Sequence, residues 1–137
     1  VTFSGQASTA LYADLAENYK ADAEYEPGTV LIFGGEHEVT TTQLKDDTRV
    51  AGVVSENPGY LMNKGLEGDN VVALALQGRV PVKVVGIVKK GDLLVAASTK
   101  GYAITNNQAG VGTVIGKAIS TKDDAGKGVV EAVVGRV

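Results

Sequence analysis

His37 is the single histidine of the chain, set between Glu36 and Glu38 directly after Gly34-Gly35. An imidazole among carboxylates has the parts of a general base or a metal ligand. A Ser-His-Asp triad, however, needs that imidazole buried and oriented by a third group. The tip of a hairpin supplies neither, so His37 reads as exposed and chemically idle. Zinc needs further histidine or cysteine ligands, and the chain has no cysteine. Gly110 to Lys117, "GVGTVIGK", invites comparison with a phosphate-binding loop. That loop demands a glycine where Val111 stands and a serine or threonine where Ala118 stands. The stretch reads instead as a turn entering a strand. Asp46-Asp47 and Asp123-Asp124 lack the alternating oxygen ligands of a calcium loop and read as solvated turns. No cofactor or metal is therefore expected.

Tyr60, Asn63, Tyr102, Asn106 and Asn107 fall in or beside expected loops. Aromatic faces and amides of this kind can stack on and hydrogen-bond to a sugar, which makes them the candidate surface-recognition residues.

The elements that would position these side chains are mostly strands. From Gly28 onward the chain is rich in valine and interrupted by glycine. The pattern predicts strands at Thr29–Phe33, His37–Thr41, Val50–Ser55, Val71–Leu76 and Val80–Val88. It predicts others at Leu93–Ala96, Tyr102–Thr105, Thr113–Ser120 and Gly128–Val137. Gly34-Gly35 is expected to turn a hairpin. Pro81 has no N–H to give a ladder, which assigns it to an edge or a bulge. Val80, Val82 and Val84 should face one way, and Arg79 and Lys83 the other.

Ahead of this region, Ala10 to Lys20 reads as a short helix. Ser8 or Thr9 is available as its cap, and Leu11, Leu15 and Tyr19 fall on one face at i, i+4 and i+8. Eleven residues make a marginal helix in isolation, so that face should pack on something. The expected fold is thus mainly β, a compact barrel or sandwich of short strands with one short N-terminal helix. It divides into a lead-in with entrance helix, residues 1–27, and a β domain, residues 28–137.

Composition narrows the function classes. The 137 residues suit a single domain, and a net charge of −3 offers no overall positive field for nucleic acid. The absence of cysteine fits folding in a reducing cytoplasm. No apolar run approaches the roughly 20 residues that span a bilayer, so membrane insertion is not expected. The longest, Val71 to Val88, is broken by Gln77, Gly78, Arg79, Pro81 and Lys83. The chain starts at Val1 and its single methionine is Met62, from which a longer N-terminal region is expected. The apolar run to Val137 suggests a strand ending at a natural terminus.

In order, the chain contains "YADLAENYKADAEYEPGTVLIFGG", "VAGVVSENPGYLMN", "ALQGRVPVKVVG", "KKGDLLVAASTKGYA" and a terminal "GTVIGKAI…VVEAVVGRV". This arrangement resembles the C-terminal domain of tailed-phage tail-fibre and appendage proteins, chiefly those of contractile-tailed cyanobacterial phages. It is more distantly similar to the chaperone and auto-cleavage domain that ends β-helical tailspikes. The resemblance spans Tyr12 to Val137 and rests on glycine-valine architecture rather than a catalytic signature.

It implies a non-enzymatic virion protein, assembled in the host cytoplasm. The domain would trimerise and cap a fibre, contact other virion proteins, and present loops to a host-surface glycan. Leu11, Leu15 and Tyr19 would then form an oligomer interface. Two alternatives accompany this reading: a self-cleaving intramolecular chaperone, and a capsid decoration or head-fibre module. Self-cleavage needs a hydroxyl nucleophile with a nearby base. Ser4, Ser8, Ser55 and Lys64 are available, but no motif assigns them a catalytic role.

Overall fold

The computed structural model describes residues 14–135, and every described element is a strand. They are β1 (Asp14–Lys20), β2 (Val30–Phe33), β3 (Val39–Thr41), β4 (Val50–Val54), β5 (Tyr60–Met62) and β6 (Val71–Val85). β7 (Leu93–Ala96), β8 (Ala103–Thr105), β9 (Val114–Ala118) and β10 (Lys127–Val134) follow.

The entrance helix is not formed within the described residues: Asp14–Lys20 is a strand instead. Leu11 and the rest of the expected first helical turns lie outside the described residues. The i, i+4 spacing of Leu15 and Tyr19 fits both periods, since four is even and also close to one helical turn. Pairing decides between them. Along its whole length β1 runs antiparallel to β6, from Asp14 opposite Gly78 to Lys20 opposite Val71. Its other edge pairs in parallel with β5, where Leu15 faces Tyr60. A short helix of modest propensity would forgo this ladder, and tertiary pairing overrides propensity.

β6 organises the molecule. Its 15 residues extend roughly 50 Å and serve two sheets in succession. The C-terminal part belongs to a closed barrel of five strands, in the order β6-β8-β7-β9-β10 and back to β6. β10 closes it through eight paired positions, from Lys127 opposite Val85 to Val134 opposite Gly78. The N-terminal part of β6 belongs to a sheet ordered β3-β2-β4-β6-β1-β5. That sheet curls on itself, because Ala21 bridges to Val39 and the Glu38 N–H donates to the Lys20 carbonyl at 3.0 Å. Gly78 lies where the two parts meet, at φ +113°, a conformation that a side chain would strain.

The expected break between Val71–Leu76 and Val80–Val88 is therefore absent, and one strand runs through Gly78. Val80, Val82 and Val84 point into the core while Arg79 and Pro81 are exposed. Complete burial of a valine contributes roughly 1.5–2 kcal/mol. Pro81 stands opposite Glu131 of β10. Alternate residues aim their N–H groups at the same edge, and Lys83 donates its N–H to the Gly28 carbonyl at 3.0 Å. The missing donor of Pro81 accordingly faces the Pro27-Gly28 turn, away from the β10 ladder.

Two clusters of buried side chains fill the interior. The larger joins Val80, Val82, Val84, Leu94, Ile115, Val130 and Val134 of the barrel to Val30 and Val53. The smaller holds Leu31, Val39, Val54, Val72 and Leu74, with Tyr19 and Tyr25 packed at its border.

Candidate functional site

A groove of about 500 Å³ lies beside the Pro27-Gly28 turn that links the lead-in to β2. The residues flanking that turn, Glu26 and Thr29, line the groove together with Glu24, Tyr25, Thr41, Lys83 and Lys100. Four separate segments deliver these residues, and local bonds fix each of them.

Tyr25 is half-buried against the smaller core, and its phenol donates to Asp22 Oδ1 at 2.5 Å. The other oxygen of Asp22 accepts from Thr40 Oγ1 at 2.6 Å. Burial pushes the Tyr25 phenol up, and its bond to the Asp22 carboxylate adds to the shift. Burial alone would raise the Asp22 carboxyl, but the bonds from Thr40 and Tyr25 outweigh it and hold the group below its ordinary value. These bonds and its packing on the smaller core orient the Tyr25 side chain.

Lys83 reaches the groove from the outward side of β6. Its Nζ donates to Glu26 Oε1 at 2.7 Å and to Thr29 Oγ1 at 3.3 Å, which holds the Glu26 carboxyl below its usual range. The same ammonium lies 4.8 Å from the ring centre of Tyr102, and Lys127 approaches that ring to 5.1 Å. Lys100 sits in the turn before β8. Gly101, at φ +79°, follows it and brings backbone against Thr29 and Thr41, where a Cβ would lie 3.0 Å from Thr29 Cγ2. The Gly101 N–H donates to the buried Thr42 hydroxyl at 2.9 Å, and its carbonyl accepts from Val30 N–H at 2.9 Å. The turn carrying Lys100 is thereby clamped to β2 and to the end of β3.

The five residues expected to contact a sugar do not share one platform. Tyr102 borders the groove through Lys83. Tyr60 is exposed on β5, while Asn63 adopts φ +60° in the following turn and its Nδ2 donates to the Asn18 carbonyl at 3.2 Å. Asn106 and Asn107 follow β8 and serve the fold. Asn106 Nδ2 donates to Asp46 Oδ1 at 3.0 Å, and Asn107 Nδ2 donates to Asp92 Oδ1 at 2.9 Å. Leu15 is half-buried between β5 and β6, and Tyr19 meets Phe33 edge-on at 5.7 Å. Sequence reasoning missed Tyr25, Glu26, Thr29 and Lys83 as a group. Their one visible signal was the clustering of polar and aromatic residues around Pro27-Gly28.

His37 is exposed in the loop between β2 and β3. Among the described residues, no three His, Cys, Asp or Glu side chains converge to hold a metal ion. Ser4 and Ser8 lie outside the described residues, and Lys64 is exposed in a turn. Ser55 is buried beside Asp14, next to a cavity of about 30 Å³ also lined by Arg79 and Pro81. Burial pushes the Asp14 carboxyl up, partly countered by a hydrogen bond with Ser55. Asp14 Oδ2 has no partner among the described residues.

A second buried ionisable group lies at the barrel. The Lys122 ammonium donates to the carbonyls of Gly86 at 3.0 Å, Asp124 at 2.7 Å and Gly126, and pairs with Asp124 Oδ1 at 3.0 Å. It ties the β9–β10 loop to the end of β6.

No protein-family profile and no curated protein sequence matches the chain. Among solved structures, it is similar to the head fibre gp8.5 N base of bacteriophage phi29. That match has a TM-score of 0.53 and 15% identity, covering 87% of this chain and 92% of the other. At this identity the likeness shows a shared fold.

Proposed function

We propose that the chain is a non-enzymatic structural module of a phage virion, and that it serves as the base of a head fibre. The carrying observation is the likeness of fold to the phi29 head-fibre base, which covers 87% of this chain and 92% of the other. The earlier resemblance to fibre and appendage proteins supports the same class of role. Between tail and head, the solved neighbour favours the head.

The geometry suits such a role. A continuous β6 shared by a closed barrel and a curled sheet makes a stiff block with few free edges. Assembly as a homotrimer, with Leu11, Leu15 and Tyr19 near neighbouring chains, belongs to this proposal, as does contact with other virion proteins. Immunogold labelling of intact particles with antibody against the domain tests it. Gold on the capsid supports the proposal. Gold confined to the tail overturns the head-fibre assignment, and particles that neither label nor contain the chain overturn the virion role.

A further inference from the structure

We infer that the groove beside Pro27-Gly28 is a binding site for a neutral sugar ring of a surface polysaccharide. This adds a binding activity to the structural role. It rests on the groove alone, so a tail rather than head location would leave it standing.

Three features of the groove point to this ligand. Its lining includes the ring of Tyr25, which is oriented before any ligand arrives by its bond to Asp22 and its packing on the smaller core. A ring oriented in advance can offer an apolar edge or face to the C–H side of a pyranose at a reduced ordering cost. The polar lining also offers both kinds of hydrogen-bonding partner that sugar hydroxyls require. Glu24 and the second oxygen of Glu26 accept, the exposed Lys100 donates, and the Thr41 hydroxyl can do either, while Lys83 and Thr29 hold Glu26 in place. Finally, the two carboxylates balance the two ammoniums, and Glu26 is bonded directly to Lys83. A lining without net charge disfavours a polyanion or a metal ion and suits an uncharged polyhydroxyl ligand. The volume of about 500 Å³ accommodates one or two sugar rings.

The test is a two-dimensional NMR titration of the domain with glucose, galactose, mannose and N-acetylglucosamine, with glycerol as the small-polyol control. The expected result is saturable shifts at Tyr25, Thr29, Thr41 and Lys100 with at least one of the sugars and none with glycerol. Tyr25→Leu should weaken that binding roughly tenfold, as loss of an aromatic contact implies. Lys100→Ala removes an exposed side chain that belongs to neither core cluster, so it provides the second variant and should weaken binding several-fold. Absence of saturable shifts with all four sugars overturns the inference. Equal shifts with glycerol, or sugar shifts that neither variant alters, overturn it as well.

Discussion

Replacing Lys122 by methionine isolates the contribution of the ammonium cage, because methionine keeps the unbranched stem and loses the charge. The lysine side chain is only 7% exposed, and its stem fits because position 128 is glycine, where a Cβ would lie 2.6 Å from Lys122 Cε. Three backbone carbonyls lose a charged donor in the variant. A hydrogen bond to a charged group contributes about 1.5–3 kcal/mol. Asp124 and Gly126 are exposed, so water replaces much of what their carbonyls lose, while the Gly86 carbonyl is less accessible. The expected destabilisation is therefore about 3 kcal/mol rather than the full sum for three bonds. For a domain of this size it corresponds to a fall in Tm of roughly 10 °C. Urea unfolding followed by circular dichroism measures it directly. The loss should persist in high salt, because a buried ammonium held by carbonyls is screened little. A change below about 0.5 kcal/mol, the range of ordinary surface substitutions, would refute this account of the barrel's end.

Burial raises the Asp14 carboxyl, so the native state holds its proton more tightly than the unfolded chain does. The resulting stability is complete below the ordinary carboxylate pKa and is lost as pH rises through the raised value. Asp14→Asn should therefore raise Tm at neutral pH and leave it nearly unchanged in acid, and thermal melts at the two pH values check this. His37→Ala should alter stability by no more than about 0.5 kcal/mol and leave particle assembly intact; a larger loss would give the exposed histidine a role. Light scattering should return three chain masses for the isolated domain, and a clean monomer at micromolar concentration would sink the trimer.

The β-rich class was legible because valine alternation and glycine punctuation are local signals. Leu93–Ala96 has its predicted limits, and the inward set Val80, Val82 and Val84 follows from period two alone. Asp14–Lys20 reads as a helix because alanine, leucine and glutamate favour one locally, whereas the partners that make it a strand lie 45 to 64 residues away. The three residues of β5 are too few to show a period, and they pair only because β1 offers an edge. Gly78 suggested a break, yet a glycine within a strand can equally mark a bend that the ladder survives. The groove was scarcely readable. Lys83 and Glu26 are 57 positions apart, and only the path of β6 past the Pro27-Gly28 turn brings them together. Asn106 and Asn107 read as recognition candidates because loop amides serve both binding and folding. Here Asp46 and Asp92 engage them within the fold.

Electron cryomicroscopy of the particle that carries this chain tests the central claim most directly. The account predicts density at the capsid surface into which the five-stranded barrel and its curled sheet fit as one block at the base of a fibre. Density for the same block at the tip of a tail fibre, or a capsid and tail that contain no such block, would contradict it.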